Sequence, residues 1–333
     1  MSKLQQFKTD AWGSFYHLCI VHPYALMRHL WPVWYYISNA DARRRFQENS
    51  PQLDEVQKRI ISDFKRFGVA TTHCDELFPG QNLLPELQRY TQTLADKAEV
   101  KNNKQFLRFL WDAVPELDIG RNPFLDITLG HRVLDMINSY MGMYAKLYFF
   151  TLNITDPVSA GAKPVQSQRW HRDSDDKLVP KIFIYLNDVD EEAGPFMCVK
   201  ESHYGGKWRG LFRQRPPHGS RAPYGKVEEI VPQKDIKVCT GRAGTIVFFD
   251  TSGLHKGGYA TKKERLMFTG IYASSASYKY TYHRGFRYPE NFAEIRTGAH
   301  LSSEAAYAIE LPQPSRFFRF INRLGKPWVE KDY

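Results

Sequence analysis

The run Trp170-His171-Arg172-Asp173 sets a histidine and an aspartate two positions apart. On extended backbone, residues i and i+2 project to the same side, so an imidazole nitrogen and a carboxylate oxygen can converge on one ion. His255, which follows the strand-like residues 245–249, supplies a third ligand. Two imidazoles and one carboxylate on one face leave three coordination positions open. That arrangement suits Fe(II) that must hold a bidentate cosubstrate and O₂ together.

A histidine with an aspartate two residues on is weak evidence alone. The chain contains a second instance, His73-Cys74-Asp75. It follows the strand-like residues 68–72, and the next histidine, His131, has no arginine after it at comparable spacing, so His73 reads as structural. His255 has such support. Arg265 stands ten residues beyond it, at the head of the apolar run 266–272. Gly257-Gly258 and Lys262-Lys263-Glu264 between them predict a hairpin, which would return Arg265 to the strand beside His255. A buried guanidinium there can pair bidentately with the distal carboxylate of a keto-acid whose other end chelates the metal.

Those residues need a scaffold. Up to about residue 142 the pattern is helical: Ser50 or Asp54 can cap a helix carrying Val56, Ile60, Ile61 and Phe64 on one stripe, and residues 84–98 and 133–140 read similarly. Residues 68–72 read as a first strand. From residue 143, short β-branched and aromatic runs recur between turn residues, at 146–154, 181–186, 195–199, 227–231, 245–249 and 266–273. Such spacing predicts an antiparallel sandwich or barrel. The expectation is one α+β domain over 1–333, with a helical flank to 142, a β core over 143–275 and an extension over 276–333 packed on the core. Helices are expected in that extension from Ser303 and over 316–324.

Composition is that of a globular protein: 333 residues, 42% hydrophobic, 25% charged and 14% aromatic. The formal charge of +10 favours an acidic partner. Four scattered cysteines, with no CxxC, argue against a zinc knuckle or disulfide framework and for a reducing cytoplasm. Residues 11–27 carry no Asp, Glu, Lys or Arg, but His17, His22 and Pro23 interrupt them, and Arg28, His29 and Pro32 follow. That is a poor membrane span; the segment reads as a packed helix, or as an interfacial one touching lipid.

In ordered combination, Trp170-His171-Arg172-Asp173, the segment from Lys181 to Val189, Glu192-Ala193-Gly194-Pro195, Glu201-Ser202-His203, His255 and Arg265 resemble the phytanoyl-CoA dioxygenase family. Phe64-Lys65-Arg66-Phe67-Gly68-Val69 resembles that family's entry into its first strand, and the likeness covers residues 60–275. It implies a double-stranded β-helix (jelly-roll, cupin-like) core, and Fe(II) on His171, Asp173 and His255. It also implies 2-oxoglutarate anchored by Arg265 and converted to succinate and CO₂, with O₂ as cosubstrate. Asn153 matches a further cosubstrate contact, and His203 a recurrent structural Ser-His. Gly257 stands where the family often has serine, no asparagine precedes Arg265, and Lys200-Glu201 replaces a usual Pro-Gly. Halogenating relatives lack the carboxylate, so Asp173 implies hydroxylation, with desaturation and ring formation open to the same ligands.

Between Lys207 and Lys226 the chain has Arg209, Arg213, Arg215 and Arg221 and no acidic residue. These arginines either recognise a carboxylate, phosphate or sulfate on a small anionic substrate or form a solvated loop. A nucleic-acid demethylase is disfavoured, because Ile271 occupies the place of that class's second arginine. Two alternatives remain: the same chemistry on a lipid or acyl thioester through peripheral membrane contact, or a non-catalytic β-barrel binding module.

Overall fold

A computed structural model of the chain describes residues 30–94, 99, 100, 106–111, 115–214, 219–277, 285–294 and 301–310, with isolated positions 15, 18 and 26. The expected segments at 11–27 and 316–324, and Arg215, lie essentially outside the described residues.

After a π-helical turn, Val33–Ser38, the helical flank contains α1 (Ala40–Glu48) and α2 (Glu55–Phe67). Asp54, not Ser50, starts α2. Its carboxylate accepts from Gln57 N at 2.8 Å, and the Gln57 side chain accepts from Asp54 N, a reciprocal pair that satisfies two end donors. Gly68 ends the helix at φ 76°, and a Cβ there would sit 2.5 Å from His203 Nδ1. Both left-handed backbone and space therefore require glycine. Strand β1 (Val69–His73) follows, then α3 (Cys74–Leu77), α4 (Leu83–Gln92), β2 (Glu99–Val100), β3 (Leu107–Phe109), α5 (Pro123–Leu129) and α6 (His131–Met141).

The β region comprises β4 (Lys146–Thr155), β5 (His171–Arg172), β6 (Pro180–Tyr185), β7 (Phe196–Val199), β8 (Ser220–Arg221), α7 (Lys226–Ile230), β9 (Ile236–Cys239), β10 (Thr245–Asp250), β11 (His255–Lys256) and β12 (Arg265–Ala273). Helix α8 (Ser303–Ala308) lies where Ser303 predicted it. Seven strands form a major sheet in the order β1-β10-β6-β12-β4-β3-β2, and five a minor sheet in the order β8-β5-β11-β7-β9. From β4 to β12 the chain passes repeatedly between the sheets, the topology of a double-stranded β-helix.

Period-two alternation gives the major sheet two apolar faces. Phe183, Tyr185, Val247, Phe249 and Met267 point between the sheets and meet Phe196 and Cys198 of β7. Ile182, Ile184, Ile246, Phe248 and Phe268 point the other way, under Ile60 and Phe64 of α2, Phe124 of α5 and Ile137 of α6. Full burial of each such side chain contributes about 1.5–3 kcal/mol. Gly270 lets α5 close on the sheet, since a Cβ there would be 2.9 Å from Thr128 Cγ2.

Two expectations are corrected. Residues 227–231 are not a strand but the body and C-cap of α7. Val227 and Val231, four apart, are both buried while Ile230 is exposed, so helical periodicity prevails where β-branched content suggested extended chain. His255 and Arg265 are also not joined by a hairpin. Strand β11 pairs with β5 and β7, whereas β12 pairs with β4 and β6. The intervening residues arch across the sandwich, tied by Gly258 N to Gly194 O and Thr261 N to Glu192 O. Gly194, at φ 67°, packs so closely under the arch that a Cβ would lie 2.4 Å from Ala260 N.

Candidate metal centre

The minor sheet brings together the three side chains singled out as ligands. His171 and His255 are directly opposed across β5 and β11, with ring centroids 4.1 Å apart. Asp173, two residues beyond His171, has returned to the same face, and its N–H donates to Thr251 O at 3.0 Å. His171 Nε2 lies 3.6 Å from Asp173 Oδ1 and His255 Nε2 lies 3.8 Å from Asp173 Oδ2. One ligand atom from each residue falls within 4.8 Å of the other two. Both Nδ1 atoms are engaged by backbone carbonyls, His171 with Arg169 O at 2.8 Å and His255 with Gly253 O at 3.0 Å. Carbonyls can only accept, so each Nδ1 carries the proton and each Nε2 offers its lone pair to the centre.

Buried hydrogen bonds fix the segment leading into His255. Asp250 accepts from Tyr140 Oη, Val179 N and Ser252 N, and Leu254 N donates to Ser202 Oγ. Arg172 projects to the outer side of the minor sheet, away from its neighbours His171 and Asp173. Its Nη1 donates to Ser202 O at 2.6 Å and Ser252 O at 2.7 Å, which ties the metal-facing strand to the turn before His255.

Burial lowers the proton affinity of both histidines, His255 to about 3. Burial pushes Asp173 up, but Lys181, His255 and His171 outweigh it, leaving the carboxyl well below the usual range. All three therefore hold their ligating forms at neutral pH. Between pH 3 and the ordinary histidine value of 6.5, the unfolded chain binds a proton at position 255 that the folded chain excludes. Stability should consequently fall as pH drops below about 6.5, by at most about 1.4 kcal/mol per pH unit for each such imidazole. Thermal unfolding of metal-free protein from pH 7.5 to 5 should show this decline. His255→Gln should flatten it; an equal slope in that variant would refute the assignment.

Lys181 was missed by sequence reasoning. Its Nζ donates to Asp173 Oδ2 at 2.6 Å, which leaves Oδ1 as the free carboxylate oxygen. The signal was legible in Lys181-Ile182-Phe183-Ile184-Tyr185: period two puts Lys181 on the same inward face as Phe183 and Tyr185.

Arg265 lies across from Thr155, and Asn153 across from Met267, all on the inward face of the major sheet. Arg265 is 4% exposed; its Nη1 donates to Gly194 O at 2.7 Å and its Nη2 to Thr155 Oγ1 at 3.2 Å. No carboxylate pairs with it among the described residues, and burial lowers its pKa, opposed by Tyr185. Arg265 Nε and Asn153 Oδ1 are both buried without a partner. Positions for a Cβ on Gly257 and Gly258 each lie 3.7 Å from the guanidinium, so Arg265 packs against the chain that directly follows His255. A buried cation and orphaned polar atoms beside a two-histidine, one-carboxylate set fit a metal chelated by an anionic, bidentate small molecule.

The structure separates the predicted substrate arginines. Arg221 of β8 is opposed to His171 and so shares its face, and its charge further depresses His171. Arg209 and Arg213 line a different cavity on the outer side of the minor sheet, with Arg172. His73 is elsewhere: its Nε2 meets Ala243 O at 2.8 Å and its Nδ1 accepts from Asp75 N, capping α3. His203 Nε2 donates to Lys65 O at 3.1 Å. No described helix is long and apolar enough to cross a membrane.

Residues 124–267 match the model of the family described as phytanoyl-CoA dioxygenase. No curated protein matches the chain. Among solved structures, the epimerase SnoN in complex with Fe³⁺, alpha ketoglutarate and nogalamycin RO is similar at 16% identity and a TM-score of 0.50, over 66% of this chain and 84% of that one; it supports the fold. EctD from S. alaskensis aligns at 17% identity and a TM-score of 0.46 over 73% and 86% of the two chains. HygX from Streptomyces hygroscopicus, with nickel and 2-oxoglutarate bound, aligns at 17% and 0.45 over 67% and 88%.

Proposed function

We propose, from a chain whose residues 124–267 match the model of the phytanoyl-CoA dioxygenase family, that it is a non-haem Fe(II)- and 2-oxoglutarate-dependent oxygenase hydroxylating a small to mid-sized anionic metabolite. The observation that carries this is the convergence of His171, Asp173 and His255 beside a buried guanidinium, Arg265, that has no acidic partner among the described residues. His171, His255 and Asp173 Oδ1 would hold the metal. Arg265 would bind the distal carboxylate of 2-oxoglutarate, with Asn153 beside it. Bound together, Fe(II) and 2-oxoglutarate supply O₂-dependent C–H oxidation, releasing succinate and CO₂.

The protein's own part is orientation and exclusion. Lys181 holds Asp173 Oδ2 and so leaves Oδ1, on the His171 side, free for the metal. Phe196 and Phe249, with ring centroids 5.7 and 5.5 Å from His255, keep water from that side. Arg221, on the metal-facing side and exposed, is the arginine placed to meet an anionic substrate group. A second reading, the same chemistry on an acyl or lipid substrate at a membrane surface, draws on exposed Leu30, Tyr36 and Ile37 near the N-terminus.

Anaerobic addition of Fe(II) and then 2-oxoglutarate tests the assignment. A visible metal-to-ligand charge-transfer band is expected only with both present; a chain that gives no band is not this enzyme.

A further inference from the structure

A second cluster of cations lies away from the metal-facing side, on the outer face of the minor sheet. Arg172, Lys177, Arg209 and Arg213 line one cavity of about 390 Å³ together with Gln214 and Ser252, and no carboxylate is among its lining residues. Such a volume is enough for a phosphate ester carrying a small organic group.

Like charges converge here by construction. Arg172 spends its donors on the carbonyls of Ser202, Trp208, Leu211, Phe212 and Ser252, so it is hydrogen-bonded without a direct ion pair among the described residues. Burial, opposed by the charge of Asp250 and helped by that of Arg213, brings its pKa down to about 10. No ion pair engages Arg209 or Arg213 among the described residues. By contrast Lys207, on the same loop, is paired with Glu201 and Asp235 at 3.1 Å. The loop thus has carboxylates within reach that pair with Lys207, Asp235 also accepting from Trp208 Nε1, and not with Arg209 or Arg213.

Three further features mark the cavity as built. Ser252 is 7% exposed, yet its Oγ has no partner, an arrangement that costs stability unless a ligand supplies the bond. Glu201 at φ 58° and Phe212 at φ 45° hold left-handed backbone at the two ends of the loop. Non-glycine residues adopt that conformation only where surroundings enforce it; at Phe212 it accompanies a carbonyl shared by Arg172 and Ser220 Oγ. Lys177 is held over the Tyr204 ring at 4.8 Å from its centroid, and Tyr204 also lines the cavity. Gln214 donates to the backbone oxygen of Asp173, so this wall is attached to the metal-facing strand.

We propose that this cavity is a binding site for a phosphate-bearing group, a monoester or diphosphate, held by Arg209, Arg213, Lys177 and the Ser252 hydroxyl. Convergent arginines and a hydroxyl suit a tetrahedral oxyanion, which offers several acceptor oxygens at once. The site is separate from the metal-facing Arg221, and its occupancy does not depend on the oxygenase reading.

The test titrates metal-free full-length protein with pyrophosphate and with inorganic phosphate by calorimetry at constant ionic strength. Sedimentation with phosphatidylcholine vesicles, with and without phosphatidic acid, forms a parallel arm. Expected is saturable binding of one pyrophosphate, weakened at least tenfold in Arg209→Ala/Arg213→Ala, largely restored in Arg209→Lys/Arg213→Lys, and unchanged in Arg221→Ala. Circular dichroism and thermal unfolding of the double variant report that the chain is still folded. Arginine-dependent binding of phosphatidic acid vesicles alone would support the site with a lipid headgroup as its source, and binding of pyrophosphate would support a soluble one. Absence of binding in every arm, equal binding by wild type and Arg209→Ala/Arg213→Ala, or loss confined to Arg221→Ala would overturn the proposal.

Discussion

Asp173→Ala should abolish the charge-transfer band and reduce 2-oxoglutarate turnover by more than about 100-fold, the upper range for losing a mere outer-shell partner of a metal site. Among the described residues, Asp173 is the sole carboxylate grouped with the two imidazoles. Its removal has a second consequence. Lys181, whose side chain is 13% exposed, loses the oxygen it donates to at 2.6 Å, and a buried charge stripped of its partner is destabilising by about 3–5 kcal/mol. Loss of activity could then reflect unfolding. Asp173→Ala/Lys181→Met removes both charges and should recover much of the thermal stability while leaving the band absent. A double variant that folds and still develops the band would remove Asp173 from the metal.

Arg265→Met should raise the KM for 2-oxoglutarate by about 100-fold, corresponding to about 3 kcal/mol of charge-assisted hydrogen bonding. It should leave unfolding of the protein without cosubstrate unchanged or shifted to higher temperature. The two effects diverge because a buried guanidinium that donates to one carbonyl and one hydroxyl, and to no carboxylate among the described residues, is a cost in the free protein. It becomes favourable when an anion arrives. Arg265→Lys keeps the charge but loses the planar fork, and should fall between the two. Steady-state kinetics against 2-oxoglutarate, with calorimetry of the free variants, separates the effects. An Arg265→Met chain that melts far below wild type with unaltered KM would make Arg265 a structural residue.

The candidate site was legible in the sequence to an uneven degree. His171 and Asp173 could be paired because extended backbone repeats every two residues, a local property. Linking them to His255 needed a contact between strands more than eighty positions apart, and spacing alone does not encode that. Arg265 was singled out on a mistaken path: the chain reaches it from His255 through an arch between sheets, with Gly194 under it, not through a hairpin. Turn chemistry specifies that a chain reverses; it does not specify which sheet receives the next strand. The strand expected at 227–231 failed for a related reason. In a five-residue stretch, β-branched content and four-residue spacing point to opposite structures, and burial of Val227 and Val231 against Trp170 and Leu254 decided for helix.

The sequence alone therefore determined the alternation that builds a β core, the cap at Asp54, and the residue types able to bind a metal and a keto-acid, since these depend on short-range geometry and side-chain chemistry. Only the tertiary structure decided which cations serve which site. Lys181 reaches Asp173, Arg221 shares the face of His171, and Arg172 with Arg209 and Arg213 turns to the opposite side. A charge run carries no information about the face on which each member emerges. That is set by strand register and by the sheet against which each strand pairs.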